Sequence, residues 1–427
     1  MGQHGVDRGT IAIVRHGYYP AELNVRREAE SLRAHGFQVH VVCLRGPGEP
    51  AQEVIGGIAV HRLPLVHKRQ GILRYLVEYN LFFGLAMLRL IRLHWRHRLR
   101  AVQVNTMPDY LAFVTLPLRP FGTRTVLHVH EPMPELFGTL FPGRRHRPLI
   151  RLIALVQRLS LAYADRALTV TTDLRDRLVE RGARADKITV VVNVPDERMV
   201  EAARRPDLVL QAQAVRAASR RRGTIRLLCH GTIEERYGIE LIVQAIGRLK
   251  DELPGLELRL MGKGDHLDAV LDEARRLGVA DRVAYLGFVP LDTMLVELQA
   301  ADLTLVPMRA NPYSQLVHTN KMFEYLAFER PVIASRLDAV VRYFPEDTLL
   351  YFTPDDPDDL ARQIRHAVAH PDEMAARVAR ASAIYRRYRW AEERRHYLAV
   401  YDGLLGGSVD GAAPAVAGPA AEPGVTS

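Results

Sequence analysis

VPMRANPYSQLVHTNKMFEYLAFERPVIAS, residues 306–335, carries the reading of this chain. It opens on the end of an apolar strand (LTLVP, 303–307) and runs through a polar loop. It then enters a short helical stretch at Asn320 and closes on a second apolar strand (PVIAS, 331–335). Strand, loop, helix, strand is the crossover unit of a parallel sheet. Ligands of such sheets bind beyond the carboxyl ends of the strands. Asn320 and Lys321 begin the helix there, and Glu324 lies one turn later. Helix amides, the helix dipole and a lysine converging on one place suit a diphosphate. A carboxylate one turn in can accept two hydrogen bonds from a ribose diol. The competing reading is a plain exposed pair between Lys321 and Glu324; the long loop and its location favour a ligand.

The same alternation runs outward in both directions. Upstream, apolar runs read as strands at 11–14, 37–44, 101–105, 124–129, 167–170 and 188–192. They restart at 224–231 (TIRLLCHG), 256–262, 282–287, 303–307, 331–335 and 349–352. A helix over 239–253 places Ile239, Ile242, Val243, Ile246, Leu249 and Leu253 on one stripe, the spacing of a helix packed on a sheet. Apolar strands separated by amphipathic helices imply parallel sheets covered on both faces. The polar, basic stretch 197–223 interrupts the pattern. The expected organisation is α/β, with two Rossmann-like domains in tandem. The first spans 1–200, a partly helical connection 201–223, and the second domain 224–385. A helix at 386–405 and a disordered Gly/Ala/Pro/Ser-rich tail at 406–427 follow.

Other strand ends offer further candidates. Gly17, after the first strand, lets backbone approach a ligand, with a plain tight turn as the even alternative. His130 and Glu131 follow RTVLHV in the loop HEPMPEL (130–136), stiffened by two prolines. A histidine there can bond a sugar hydroxyl or move a proton. In HGTIEERYGIE (230–240), Gly231 and Thr232 follow a strand and Arg236 precedes a helix, a place for a diphosphate clamp; Glu234 and Glu235 beside it could instead make a solvated ion pair. MGKGD (261–265) adds Gly262 in a second glycine-rich turn.

The chain has 427 residues, 48% hydrophobic and 25% charged, and a formal net charge of +9, which favours acidic partners. Its two cysteines, Cys43 and Cys229, fall in different expected domains, so a reducing cytoplasm is the natural setting. No segment has the 18 uninterrupted apolar residues of a membrane span. Residues 68–100 and 144–160, rich in Leu, Ile, Phe and Arg, read either as core helices or as surfaces lying peripherally on an anionic membrane. Dispersed basic residues without a recognition motif argue against nucleic acid as a partner.

KMFEYLAFERPVIAS resembles the signature of the retaining glycosyltransferases of family four, which have the GT-B fold; members typically read K-x-F-E-Y-x-A-x-G-x-P-V-I-A. HGTIEERYG resembles their donor-phosphate loop, RVAYLGFVP their base-binding segment, HEPMPEL an acceptor-side loop, and YRWAEERRHYLAVYDGLL (388–405) the closing helix that crosses back to the first domain. The resemblance implies two Rossmann-like domains facing each other across a cleft. It implies a nucleotide-sugar donor (UDP- or GDP-linked), held mainly by the second domain. Glu324 would bind ribose, Arg236 and Lys321 the diphosphate, and Phe288 would lie near the base. Gly231, Thr232, Gly262 and Asn320 would border the donor, and Gly17 would approach its diphosphate. His130, with Glu131 on the acceptor side, would lie near the transferred sugar. It also implies retention of configuration through front-face attack, without a protein nucleophile. No cofactor or fixed metal is implied, and no Asp-x-Asp motif occupies a suitable loop. A lipid-linked or glycan acceptor in cell-surface polysaccharide or glycolipid synthesis fits best. The chain departs from the pattern at Leu316, where the family's earlier glutamate would stand, at Tyr237 for its usual lysine, and at Arg330 for the signature's glycine. A catalytically inactive binding protein or a sugar epimerase of the same fold are the rival readings.

Overall fold

Among the described residues, fourteen strands build two separate sheets. In the first unit these are β1 (Thr10–Arg15), β2 (Gln38–Leu44), β3 (Gln52–Ile55), β4 (Ile58–Leu63), β5 (Leu99–Asn105), β6 (Arg124–Val129), β7 (Arg166–Thr169) and β8 (Ile188–Val190). Their order across the sheet is β3-β4-β2-β1-β5-β6-β7-β8. Every pairing is parallel except the β3–β4 hairpin. The second unit holds β9 (Ile225–Thr232), β10 (Leu256–Lys263), β11 (Val283–Gly287), β12 (Leu303–Val306), β13 (Val332–Ser335) and β14 (Leu350–Phe352). Its order is β11-β10-β9-β12-β13-β14, all parallel. This computed structural model describes residues 8–66 and 72–406. The expected tail beyond 406 and the start of the 68–100 segment, through residue 71, lie outside them.

The strands are apolar because helices cover both faces of each sheet. Ile11, Ala12, Ile13 and Val14 of β1 are fully buried, as are Leu227, Leu228 and Cys229 of β9. The helix expected over 239–253 ends at Leu249; it buries Ile239, Ile242, Val243, Ile246 and Leu249 in the core of the second unit, and Leu253, beyond its end, packs partly buried against the same core. Cys43 and Cys229 are both buried and free.

Several boundaries differ from the sequence expectation. The two units are residues up to Asn193 together with Ala391 onward, and Val194–Trp390. The stretch 201–223 is therefore part of the second unit rather than a connection. Its helix Pro206–Arg221 lays Leu208 and Ala212 against Leu295 and Val296 of the helix Leu291–Ala300. A sparse apolar stripe among many charges hid this packing. The second unit also runs past 385 to Trp390. Finally, HEPMPEL is a loop only through Pro132: a helix begins at Met133, with Pro134 in its first turn, where a missing amide hydrogen costs nothing. Gly231 and Thr232 lie within β9 rather than after it.

Candidate functional site

In the second unit, β9 and β10 run side by side with Gly231 opposite Gly262. Both have left-handed backbones, at φ 109° and 129°. A Cβ on Gly262 would lie 1.8 Å from the Gly231 carbonyl oxygen, so no other residue fits there. The helix Asn320–Ala327 starts after the polar loop 307–319, which is pinned from within. The Asn311 side-chain oxygen accepts from the Tyr313 and Ser314 amides at 3.0 and 2.9 Å, and the Ser314 hydroxyl donates to the Arg309 carbonyl at 2.7 Å.

From this helix Lys321 reaches down to Gly231; its Nζ would be 3.8 Å from a Cβ placed there. The side chain is buried, and its ammonium lies 4.8 Å from the centre of the Tyr237 ring. The Arg236 guanidinium lies 5.0 Å from the same ring and 5.6 Å from that of Tyr313, and it ion-pairs with Glu234. Two cations thus share one aromatic ring, Tyr237, at the position where the family places a lysine. Glu324 does not pair with Lys321. Its Oε2 lies 3.1 Å from His230 Nε2, while among the described residues its Oε1 carries no hydrogen bond. The His230 ring stands edge-on to Tyr325, whose hydroxyl accepts from the His230 amide at 3.2 Å. Leu316 is buried, filling with apolar surface the place where the earlier glutamate would stand. Phe288, after Gly287, is 81% exposed, with the Lys263 ammonium 5.4 Å from its ring.

The first unit contributes its own carboxyl-end cluster. Gly17 is buried; its amide donates to the Arg15 carbonyl and its carbonyl accepts from Leu44, both at 2.9 Å. The spot where a side chain would begin lies 2.6 Å from the carboxylate end of the partly exposed Glu22 side chain. His130 follows β6, and its amide donates to the Thr106 hydroxyl at 3.2 Å. Burial, with His128, Arg15 and Arg27 adding their repulsion, holds the His130 imidazole well below its ordinary pKa, so it is neutral at physiological pH. Glu28, His128 and His130 bring ligand-capable atoms within 4.8 Å of one another, the one such group among the described residues. Yet one Glu28 oxygen already accepts from Gln103 and Asn105, and the other lies 3.1 Å from His128 Nδ1. The two imidazoles are stacked, which keeps their lone pairs side by side instead of converging. The group suits a buried polar cluster better than a metal.

Family profiles match both units: a glycosyl transferase 4-like domain over residues 21–193, and glycosyl transferases group 1 over 224–370. The chain belongs to the group 1 glycosyltransferases. Among curated proteins, this glycosyltransferase is 27% identical to a Mycobacterium tuberculosis glycogen synthase over 240 residues, 55% of this chain and 52% of the relative. It is also 27% identical over 177 residues to a phosphatidyl-myo-inositol mannosyltransferase of Mycolicibacterium smegmatis, 41% of this chain and 44% of that one. The match therefore spans about half the length of these relatives. The structure of Anabaena HepE in complex with UDP-glucose superposes with a TM-score of 0.69, covering 92% of this chain and 100% of that one at 16% identity. At that identity the likeness concerns the fold, which is GT-B.

His230 is the residue that reading the sequence of this glycosyltransferase missed. It stands next to Gly231 in a quoted motif, but its partner Glu324 lies on another element. A histidine on the last turnward residues of a central strand, facing a signature glutamate, was the available signal.

Proposed function

We propose that this chain transfers a sugar from a UDP- or GDP-sugar, with retention of configuration, to a lipid-linked or glycan acceptor. One observation carries the reading. Lys321 is buried beside Gly231 at the strand ends and has no carboxylate partner among the described residues. A buried unpaired ammonium is costly, and an anionic ligand is the natural remedy. The diphosphate of a nucleotide-sugar supplies it. HepE, of the same fold, binds UDP-glucose.

Each group then has a task. Lys321, Arg236 and the first amides of the helix from Asn320 meet the negative charge that grows on the departing nucleoside diphosphate. Gly231, Thr232 and Gly262 let backbone come close to the phosphates. The open Oε1 of Glu324 accepts from the ribose hydroxyls, with His230 fixing the carboxylate from behind. Phe288 offers an exposed ring for the base. Neutral His130, with Glu131, bonds hydroxyls of the transferred sugar or the acceptor without adding charge. Because protein cations do the work of charge neutralisation, no metal is required by this scheme.

A peripheral membrane role fits the first unit. In the helix Arg147–Tyr163, Leu149, Leu152, Leu155 and Leu159 are exposed on one stripe, with exposed Arg147, Arg151 and Arg158 alongside. Apolar side chains entering an interface while arginines meet lipid phosphates is the pattern of a surface-lying helix. Among the described residues no helix is long and apolar enough to cross a membrane. One of the relatives carries a phosphatidyl lipid in its name. The test is nucleoside diphosphate release from a panel of nucleotide-sugars, with and without polyprenyl-phosphate acceptors. Release from one donor, accelerated by acceptor, is expected. No release from any donor, together with no binding of UDP or GDP, overturns the proposal.

A further inference from the structure

The polar groups behind His130 form one continuous buried chain. His130 stacks on His128, with ring centres 3.9 Å apart at 29°. His128 Nδ1 lies 3.1 Å from Glu28 Oε1, both side chains almost wholly buried. The other Glu28 oxygen accepts from Gln103 at 2.7 Å and from Asn105 at 3.3 Å. Gln103 in turn accepts, through its side-chain oxygen, from the Tyr397 hydroxyl at 2.7 Å and from the Tyr401 hydroxyl. Both tyrosines are fully buried and sit on the helix Trp390–Leu405, which follows the second unit in the sequence and joins the first.

The chain fixes its own polarity. Both tyrosines donate to the amide oxygen of Gln103, so its amide nitrogen must face Glu28, and the carboxylate must accept. Burial would push the Glu28 carboxyl up; His128, Arg27 and Gln103 outweigh it and hold it below its ordinary pKa, so it stays ionised. The charge of an ionised Glu28, 3.1 Å from His128 Nδ1, favours the proton on that nitrogen. That sets the tautomer and plane of the ring against which His130 lies. The groups facing His130 are His128 from β6, Arg15 from β1, and Arg27 and Glu28 from the helix Leu23–Ala34.

We infer that Glu28, His128, Gln103, Tyr397 and Tyr401 are positioning residues for His130, so that the C-terminal helix sets the ring that meets the sugar or the acceptor. The inference rests on the proposed transferase reading for its consequence in turnover, but not for its geometry.

Two conservative variants test it in the full chain. Tyr397→Phe with Tyr401→Phe removes both hydroxyls and keeps both rings. It is expected to lower kcat about tenfold, the effect of losing charge-linked orientation, while donor KM stays within about twofold because the donor is held by the second unit. His128→Phe keeps a ring under His130 but removes the partner of Glu28, whose charge then faces His130 alone. The His130 imidazole should move up by about one pH unit or more, giving kcat an acid limb that the parent lacks. That limb disappears when His130→Gln is added. Nitrogen-15 spectra of histidine-labelled protein read the same shift without turnover. If no donor is turned over, the function proposal fails, and the spectra still decide this one. Unchanged kcat in the tyrosine pair, or a His130 signal that titrates identically in parent and His128→Phe, overturns it.

Discussion

Replacing Glu324 by Gln separates ribose recognition from phosphate binding. In the folded protein one oxygen of this carboxylate faces His230 Nε2 at 3.1 Å and the other is open. A glutamine that turns its oxygen toward a protonated His230 Nε2 presents its amide to the ligand. It then presents N–H groups where the ribose hydroxyls need an acceptor. The loss is that of a hydrogen bond to a charged group, about 1.5–3 kcal/mol, which weakens binding about 10- to 150-fold. Because His230 is buried and Glu324 largely so, thermal melts of parent and variant separate any folding loss from the binding loss. Calorimetric titration with UDP, GDP and inorganic pyrophosphate reads the difference, because pyrophosphate has the phosphates but no ribose. Affinity for the better nucleotide should fall within that range while pyrophosphate binds as before. An equal fall for both ligands, or no fall for either nucleotide, would refute the ribose assignment.

Lys321→Ala and Arg236→Ala should each reduce kcat/KM by at least about tenfold, as expected for charges that meet a developing oxyanion, with melting temperatures near that of the parent; full turnover in either removes that residue from the clamp. A chelator should leave turnover unchanged, and loss restored by magnesium would contradict the metal-free scheme. Gly262→Ala should destabilise the second unit by about 1–3 kcal/mol or more from its left-handed backbone alone, apart from the clash with the Gly231 carbonyl; urea unfolding checks it. His318, held down to about pKa 3 by burial, is neutral in the fold but protonates in the unfolded chain below about 6.5. Its contribution is intact above that pH and is lost on acidification, by about 1.4 kcal/mol per pH unit until the folded pKa is reached. His318→Phe should flatten the fall in stability between pH 6 and 4. Leu152→Glu with Leu155→Glu should abolish sedimentation with anionic liposomes at low salt, a binding that should also weaken as salt screens the arginines.

The strands were legible because each is an apolar run closed by polar turns, and twelve of the fourteen follow from that alone. The β3–β4 hairpin was not, since β3 has exposed polar residues at a sheet edge. Its signal was the pair Gly56–Gly57, whose positive φ values of 56° and 79° make the tight hairpin turn. The thirteen residues of Asp109–Phe121 form a 3-10 helix that periodicity misses, because Pro117 and Pro120 interrupt any regular stripe. At the candidate site, Lys321 and Glu324 could be read because one short helix carries both. His230, Glu28 and His128 could not, since each gains its meaning from a partner brought to it by folding, and no spacing in the sequence records that.

The first unit is written in two instalments. Residues 194–390 are made before the helix that completes it. At a synthesis rate of about 5–20 residues per second, that delay lasts about 10–40 seconds. During it the nascent unit exposes Gln103 without the Tyr397 and Tyr401 hydroxyls, and leaves bare the apolar surface that Val400 and Tyr401 later cover. The ribosome thus holds an unfinished domain while an entire second one is translated. Chains released early, ending anywhere from 194 to 390, lack that cover and are natural clients for chaperones and proteases. Closure of the first unit therefore waits for the helix Trp390–Leu405.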